Sequence, residues 1–238
     1  MTSYNTDKPV IILGSGPTAR KIPKSDEYYI CTVMLGSFLC EETDFWVLND
    51  AHVLHDFSDS KLKTIKNLAI PEYPHSVVKG SSWPTEDIPS KKVVTHLTKY
   101  MDIHNFNIQT VKRFNINYNK NLPFFETTSS GESAIKWLHY KGFKKIITLG
   151  LDKEGGRHSN IPGRLATGFN RPDKLTQECG PPERYNKCHN RVVDFTNNTP
   201  NFKVIRLISP EVNDEIIKSL KWDFENHIEI KVSYNESR

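Results

Sequence analysis

The residues best placed to do chemistry stand just beyond an apolar run. Val10-Ile11-Ile12-Leu13 gives way to Gly14-Ser15-Gly16-Pro17-Thr18, which sets backbone N–H groups and a hydroxyl at the carboxyl end of a predicted strand, where open α/β sheets take their ligands. Glycines let a main chain come close to a phosphate. The stretch is not a GxGxxG dinucleotide fingerprint, because Ala19 and Arg20 follow where further spacing and a glycine are needed, and it is not a GxxxxGKS/T loop. A sharp turn accounts for the same residues, since Gly and Pro are the commonest turn formers. On the phosphate reading, a side chain at Gly16 blocks the anion and leaves the fold largely intact.

A second candidate lies in Thr127-Thr128-Ser129-Ser130-Gly131-Glu132, whose hydroxyls can cap a helix. Ala134, Ile135, Trp137 and Leu138 then recur at helical spacing before Gly142 closes it. Ser130 and Gly131 thus stand at a helix N-terminus, where unsatisfied N–H groups and the helix dipole favour an anion. Plain capping by Ser129 or Ser130 is the alternative.

Metal ligation has no ready donor set. No Asp-x-Asp pair occurs, and Cys31, Cys40, Cys179 and Cys188 form no CxxC pair. Cys179 with Cys188-His189 offers three ligands without the close pairing that pre-organises a zinc site, so reduced thiols are the better reading.

The elements that must position these groups alternate. Apolar, β-branched runs at Tyr28-Tyr29-Ile30-Cys31-Thr32-Val33 and Phe45-Trp46-Val47-Leu48 read as buried strands, the second ending in Asn49-Asp50, and Lys92-Val93-Val94-Thr95 is a further candidate. After the Ser129–Gly142 helix, Lys144-Lys145-Ile146-Ile147-Thr148-Leu149-Gly150 reads as another buried strand. A helix near Tyr185 to Asn198 then leads to the strand Phe202–Ile208. Helix and strand joined by short Gly-containing turns are halves of βαβ crossovers, which predicts an α/β, Rossmann-like domain with a mainly parallel sheet flanked by helices. One domain over 1–238 is expected, with irregular insertions near 71–91 and 153–184. The Asn-rich segment from Asn105 to Asn121 alternates Phe106, Ile108, Phe114 and Ile116 with polar residues and fits a strand or an edge excursion.

Composition narrows the class. With 37% hydrophobic, 11% aromatic and 25% charged side chains, the 238 residues can offset chain entropy by burial, which excludes global disorder. No apolar run approaches the roughly 20 residues of a membrane-crossing helix, and the polar start Met1-Thr2-Ser3-Tyr4-Asn5 lacks a signal peptide's regions, so a cytoplasmic location is expected. A formal charge of +4 favours phosphate-bearing or acidic partners. Aromatics among basic residues in Lys112-Arg113-Phe114 and Asn117-Tyr118-Asn119-Lys120 permit nucleic-acid binding without demanding it.

Two landmarks together resemble known families. The strand Val10–Leu13 running into Gly14-Ser15-Gly16-Pro17-Thr18 is similar to the opening of the bacterial sialyltransferases of glycosyltransferase family 42 and of the related MptE-like proteins. Ser130-Gly131, the helix, Gly142-Phe143-Lys144 and the strand ending in Gly150-Leu151-Asp152 resemble the second landmark of the same families. The resemblance implies a glycosyltransferase-A-like fold and a nucleotide-sugar donor as substrate rather than a bound cofactor. It implies that Gly14, Ser15, Gly16 and Thr18 hold phosphate, that Ser130 and Gly131 contact the nucleotide or sugar, and that Asn49 and Asp152 lie at the donor. The chain departs from the pattern after its second strand, where Thr32-Val33-Met34-Leu35-Gly36 lacks the family's asparagine, and after Asp152, where Lys153 replaces an aromatic.

The resemblance also implies a histidine base, and His189 in Tyr185-Asn186-Lys187-Cys188-His189-Asn190 holds the corresponding place, with His158 as competitor. A neutral imidazole suits the task because its ordinary pKa lies close to operating pH. A donor with a single phosphate leaves without a bridging metal, and Lys153, Arg157, Arg164 and Arg171 could screen its charge. The expected function is therefore metal-independent transfer of a sugar from a nucleotide-activated donor to a hydroxyl acceptor, a glycan or a modified DNA base. An MptE-like pyrophosphokinase using ATP and magnesium is the alternative.

Overall fold

The computed structural model describes residues 4–48, 59–62, 64–71, 107–111, 129–153 and 182–232. Among the described residues eight strands make one sheet: β1 (Val10–Leu13), β2 (Tyr29–Val33), β3 (Phe45–Val47), β4 (Asn67–Pro71), β5 (Asn107–Val111), β6 (Lys145–Leu149), β7 (Lys203–Ile208) and β8 (His227–Lys231). Their order is β5-β4-β3-β2-β1-β6-β7-β8, and every pairing is parallel. This is the α/β, Rossmann-like architecture the alternating pattern predicts. The order reverses between β1 and β6, and that reversal is the topological switch point at which such sheets bind ligands beyond the carboxyl ends of the strands.

Both faces of the sheet are covered, which is why its central strands read as continuous apolar runs. Ile11, Leu13, Ile30, Trp46, Ile147 and Ile205 point into one core, closed by Leu35 and Leu39 of a 3-10 helix (Met34–Leu39) and by Ile217 of a short helix. Val10, Ile12, Cys31, Val47, Ile146 and Val204 point into the other. Helix α1 (Asp59–Leu62) is a single turn. Helix α2 (Ser130–Tyr140) covers the second face through Ala134, Ile135, Trp137 and Leu138, and α3 (Pro182–Asn197) does so through Val192. Helix α4 (Asp214–Ser219) is the one that carries Ile217.

The ends of α2 follow local chemistry. Ser129 caps it, its Oγ accepting the Glu132 N–H at 3.1 Å. At the far end Gly142 takes a φ of 93°, which lets its N–H reach the His139 carbonyl and the Phe143 N–H reach that of Leu138. Of the sequence expectations, Lys92–Thr95, residues 72–91 and 154–181, Thr127, Thr128 and Lys112–Lys120 lie outside the described residues. Within Asn105–Asn121 the chain forms β5, an edge strand. Strands β4 and β8 and helix α4 carry no counterpart in the sequence reading. Among the described residues no helix is long and apolar enough to cross a membrane.

Candidate functional site

The register places Leu13 opposite Leu149, so the chain leaves β1 and β6 side by side at the switch point. Two backbone bonds carry the pairing beyond the strands: Gly14 N–H to the Leu149 carbonyl at 2.8 Å and Gly16 N–H to the Gly150 carbonyl at 2.9 Å. Thr18 then closes the loop onto Asp152. Its N–H donates to Asp152 Oδ2 at 2.9 Å and its hydroxyl to Oδ1 at 2.6 Å, while the same hydroxyl oxygen accepts the Gly150 N–H at 3.2 Å.

Gly16 is required by this closure. A β carbon there would stand 2.2 Å from Asp152 Oδ2 and 2.8 Å from the Gly150 carbonyl oxygen. The expectation that a side chain at Gly16 spares the fold is therefore corrected: it strikes the Asp152 carboxylate and the backbone of the β6 loop. In this arrangement the N–H groups of Gly14, Gly16 and Thr18 are engaged within the fold.

Helix α2 runs antiparallel to the strands, so its N-terminus lies at the same carboxyl edge. Ser130 and Gly131 are buried there, with a β carbon at Gly131 falling 3.0 Å from a methyl of Leu151 in the β6 loop. The two landmarks therefore meet in space: Gly14–Thr18 lies on Gly150–Asp152, and Ser130-Gly131 on Leu151. Ser130 and Gly131 begin α2, so the positive end of its dipole lies at this edge. After β2, where the resemblance lacks an asparagine, Met34 takes a φ of 51° and its carbonyl accepts the Trp46 indole N–H at 3.0 Å.

Asp152 has a second partner that the sequence reading passed over. Arg206 on β7 donates through Nη2 to Asp152 Oδ1 at 3.2 Å and through Nη1 to Glu229 Oε2 on β8 at 2.6 Å. Both Asp152 and Arg206 are buried. A charged residue inside the apolar run Lys203–Ile208 was the signal, because a buried strand tolerates one only when it is paired.

His189 lies midway along α3, half-buried, its ring edge-on to His227 with centroids 5.6 Å apart. His227 and Glu229 alternate with Ile228 and Ile230, which pack on the other core, so the former pair faces α3. Burial first, then the charges of His189 and Arg206, push His227 down to about 4, so it is neutral near pH 7. Burial raises the Glu229 carboxyl, but Arg206 and Lys231 outweigh it and hold that group below its ordinary range. Thr18, Asp152, Arg206 and Glu229 are thus joined by hydrogen bonds at the switch point, whereas His227 lies opposite Val204 near the start of β7 and sets the His189 pair toward the amino end of the sheet.

Among the other predicted site residues, Asn49 and His158 lie outside the described residues, as do Arg157, Arg164, Arg171 and Cys179. Cys31, Cys40 and Cys188 are buried and unpaired in any disulfide. Among the described residues no group of three or more His, Cys, Asp or Glu stands together as a metal site. No family model matches the chain, and no curated protein or solved structure matches it either.

Proposed function

We propose that the chain is a glycosyltransferase that moves a sugar from a nucleotide-activated donor to a hydroxyl acceptor without a metal. The observation that carries this reading is the meeting of Gly14–Thr18, Ser130-Gly131 and Gly150–Asp152 at the switch point. Stretches more than a hundred residues apart that resemble the donor-binding landmarks of one enzyme class come together where such sheets take nucleotides. On this reading the donor phosphate lies between the Gly14–Thr18 loop and the first turn of α2, where the helix dipole favours an anion.

In the transfer, His189 takes the proton of the acceptor hydroxyl as its oxygen attacks the anomeric carbon, and the bond from that carbon to the phosphate oxygen breaks, the nucleotide leaving with the electron pair. His227, neutral beside it, adds no positive charge that would oppose proton uptake near pH 7. The acceptor is a glycan or a modified DNA base; duplex binding that weakens steeply with salt selects the second.

A thermal-shift screen against CMP-, UDP-, GDP- and ADP-linked sugars tests the proposal, since a ligand of the folded state raises the melting temperature by mass action. A shift with one class, and turnover that persists in EDTA, supports it. No shift with any of them, or a complete and metal-reversible loss of turnover in EDTA, overturns it, the latter in favour of an ATP-dependent and magnesium-dependent pyrophosphokinase.

A further inference from the structure

Arg206 stands where a buried strand ordinarily places an apolar side chain. Val204, Ile205 and Leu207 around it are buried, and its own side chain is 8% exposed. A guanidinium at that depth persists only where its charge and its donors are answered. Two carboxylates from different elements answer it: Asp152 in the loop after β6, and Glu229 on the edge strand β8.

We infer that Arg206 is a positioning residue of the switch-point site, fixing the Asp152 carboxylate and through it the Thr18 end of the glycine loop before any ligand arrives. Asp152 Oδ1 is shared between the Thr18 hydroxyl and Arg206, and Oδ2 takes the Thr18 N–H. Removing Arg206 leaves the carboxylate with Thr18 as its partner among the described residues, and it can rotate toward water and release the loop. Glu229, partly exposed, anchors the far side of the guanidinium. An arginine fits this task better than a lysine because its planar fork reaches two acceptors in different directions. The importance of the clamp for ligand binding rests on the proposed function; the clamp itself does not.

The test is amide hydrogen exchange on the full chain without nucleotide, comparing wild type with Arg206→Met, Arg206→Lys and Glu229→Gln. The Thr18 N–H is the reporter, and the Ile11 and Ile147 amides in the central strands are the reference. Arg206→Met should speed Thr18 exchange roughly tenfold or more relative to that reference, the scale of one hydrogen bond to a charged group. Arg206→Lys should restore part of the protection, and Glu229→Gln should move Thr18 in the same direction by less. Thr18 exchange that is unchanged, or that rises only in step with Ile11 and Ile147, overturns the inference. Should Arg206→Met not fold, Arg206→Lys and Glu229→Gln decide by the same Thr18 ratio. A flat nucleotide-sugar screen counts against the proposed function and leaves this result standing.

Discussion

Thr18 and Asp152, 134 positions apart in the chain, hold each other through two hydrogen bonds of 2.9 and 2.6 Å. This contact binds the exit of β1 to the exit of β6 on either side of the topological reversal. The Gly14, Gly16 and Thr18 N–H groups are all engaged in this joint, so the glycine loop is tied to the neighbouring strand exit.

Gly16→Ala is expected to lower stability by about 1–3 kcal/mol, the usual cost of inserting a methyl into a filled space. The β carbon falls 2.2 Å from the Asp152 carboxylate, and that carboxylate is held on its other sides by Thr18 and Arg206. Urea unfolding midpoints of wild type and variant measure this; an unchanged midpoint would show that the β6 loop yields freely.

Glu132→Ala is expected to destabilise the protein through the joint between α2 and α3. The Glu132 side chain is fully buried, and Arg191 Nη2 and Lys136 Nζ both lie at 2.8 Å from its oxygens. Stripping one partner from a buried ion pair costs about 3–5 kcal/mol. The Arg191 side chain, 36% exposed, can turn to water, so the lower end of that range is expected. Chemical denaturation should show the loss, and Glu132→Gln, which keeps the shape and some hydrogen bonds, should lose less.

The strands that were plain in the sequence are those buried on both faces. Val10–Leu13 and Ile146–Leu149 present unbroken apolar or β-branched runs, and Val204–Ile208 one interrupted by Arg206, because helices cover both sides of the sheet. β8 reads His-Ile-Glu-Ile-Lys, with one face polar, and passes unnoticed as an exposed segment; β4 opens on Asn67 and ends on Pro71, residues that ordinarily punctuate loops. α4 is six residues with an Asn213 cap, too short for a periodic signal. At the site, Gly14, Gly16 and the Ser129-Ser130-Gly131 turn stand out by residue type, whereas the Thr18, Asp152, Arg206 and Glu229 network depends on strand order. Nothing local says that residue 206 lies next to residue 152 until β6 and β7 are known to be neighbours.

Stability should fall with pH between about 6.5 and about 4, and His227 should account for much of the slope. Its folded pKa is about 4 against an ordinary 6.5. Above pH 6.5 both folded and unfolded chains carry it neutral. Between the two values only the unfolded chain binds the proton, so acidification favours unfolding, and below about 4 this contribution levels off. His139, lowered by burial, acts in the same direction. His227→Gln should flatten the profile of unfolding free energy against pH in that window. An NMR titration of the His227 ring with a midpoint near 6.5 would remove the premise.

The last expectation separates a base from a histidine that merely lies in the fold. His189→Ala should lower kcat by about 10²–10⁴-fold while donor affinity changes little, because proton removal assists the transition state and not the bound donor. A packing role predicts something else, since losing the edge-on contact with His227 would lower the melting temperature and weaken donor binding and turnover together. The two are told apart by measuring the donor-induced thermal shift alongside kcat. His189→Ala also removes a positive influence on His227, so the His227 titration should move upward in that variant, which verifies that the rings are neighbours in solution. With His189 as base, wild-type activity should decline on the acid side as an imidazole protonates, and His158→Ala should have the milder effect. A fully active His189→Ala enzyme would leave His158 as the next residue to test.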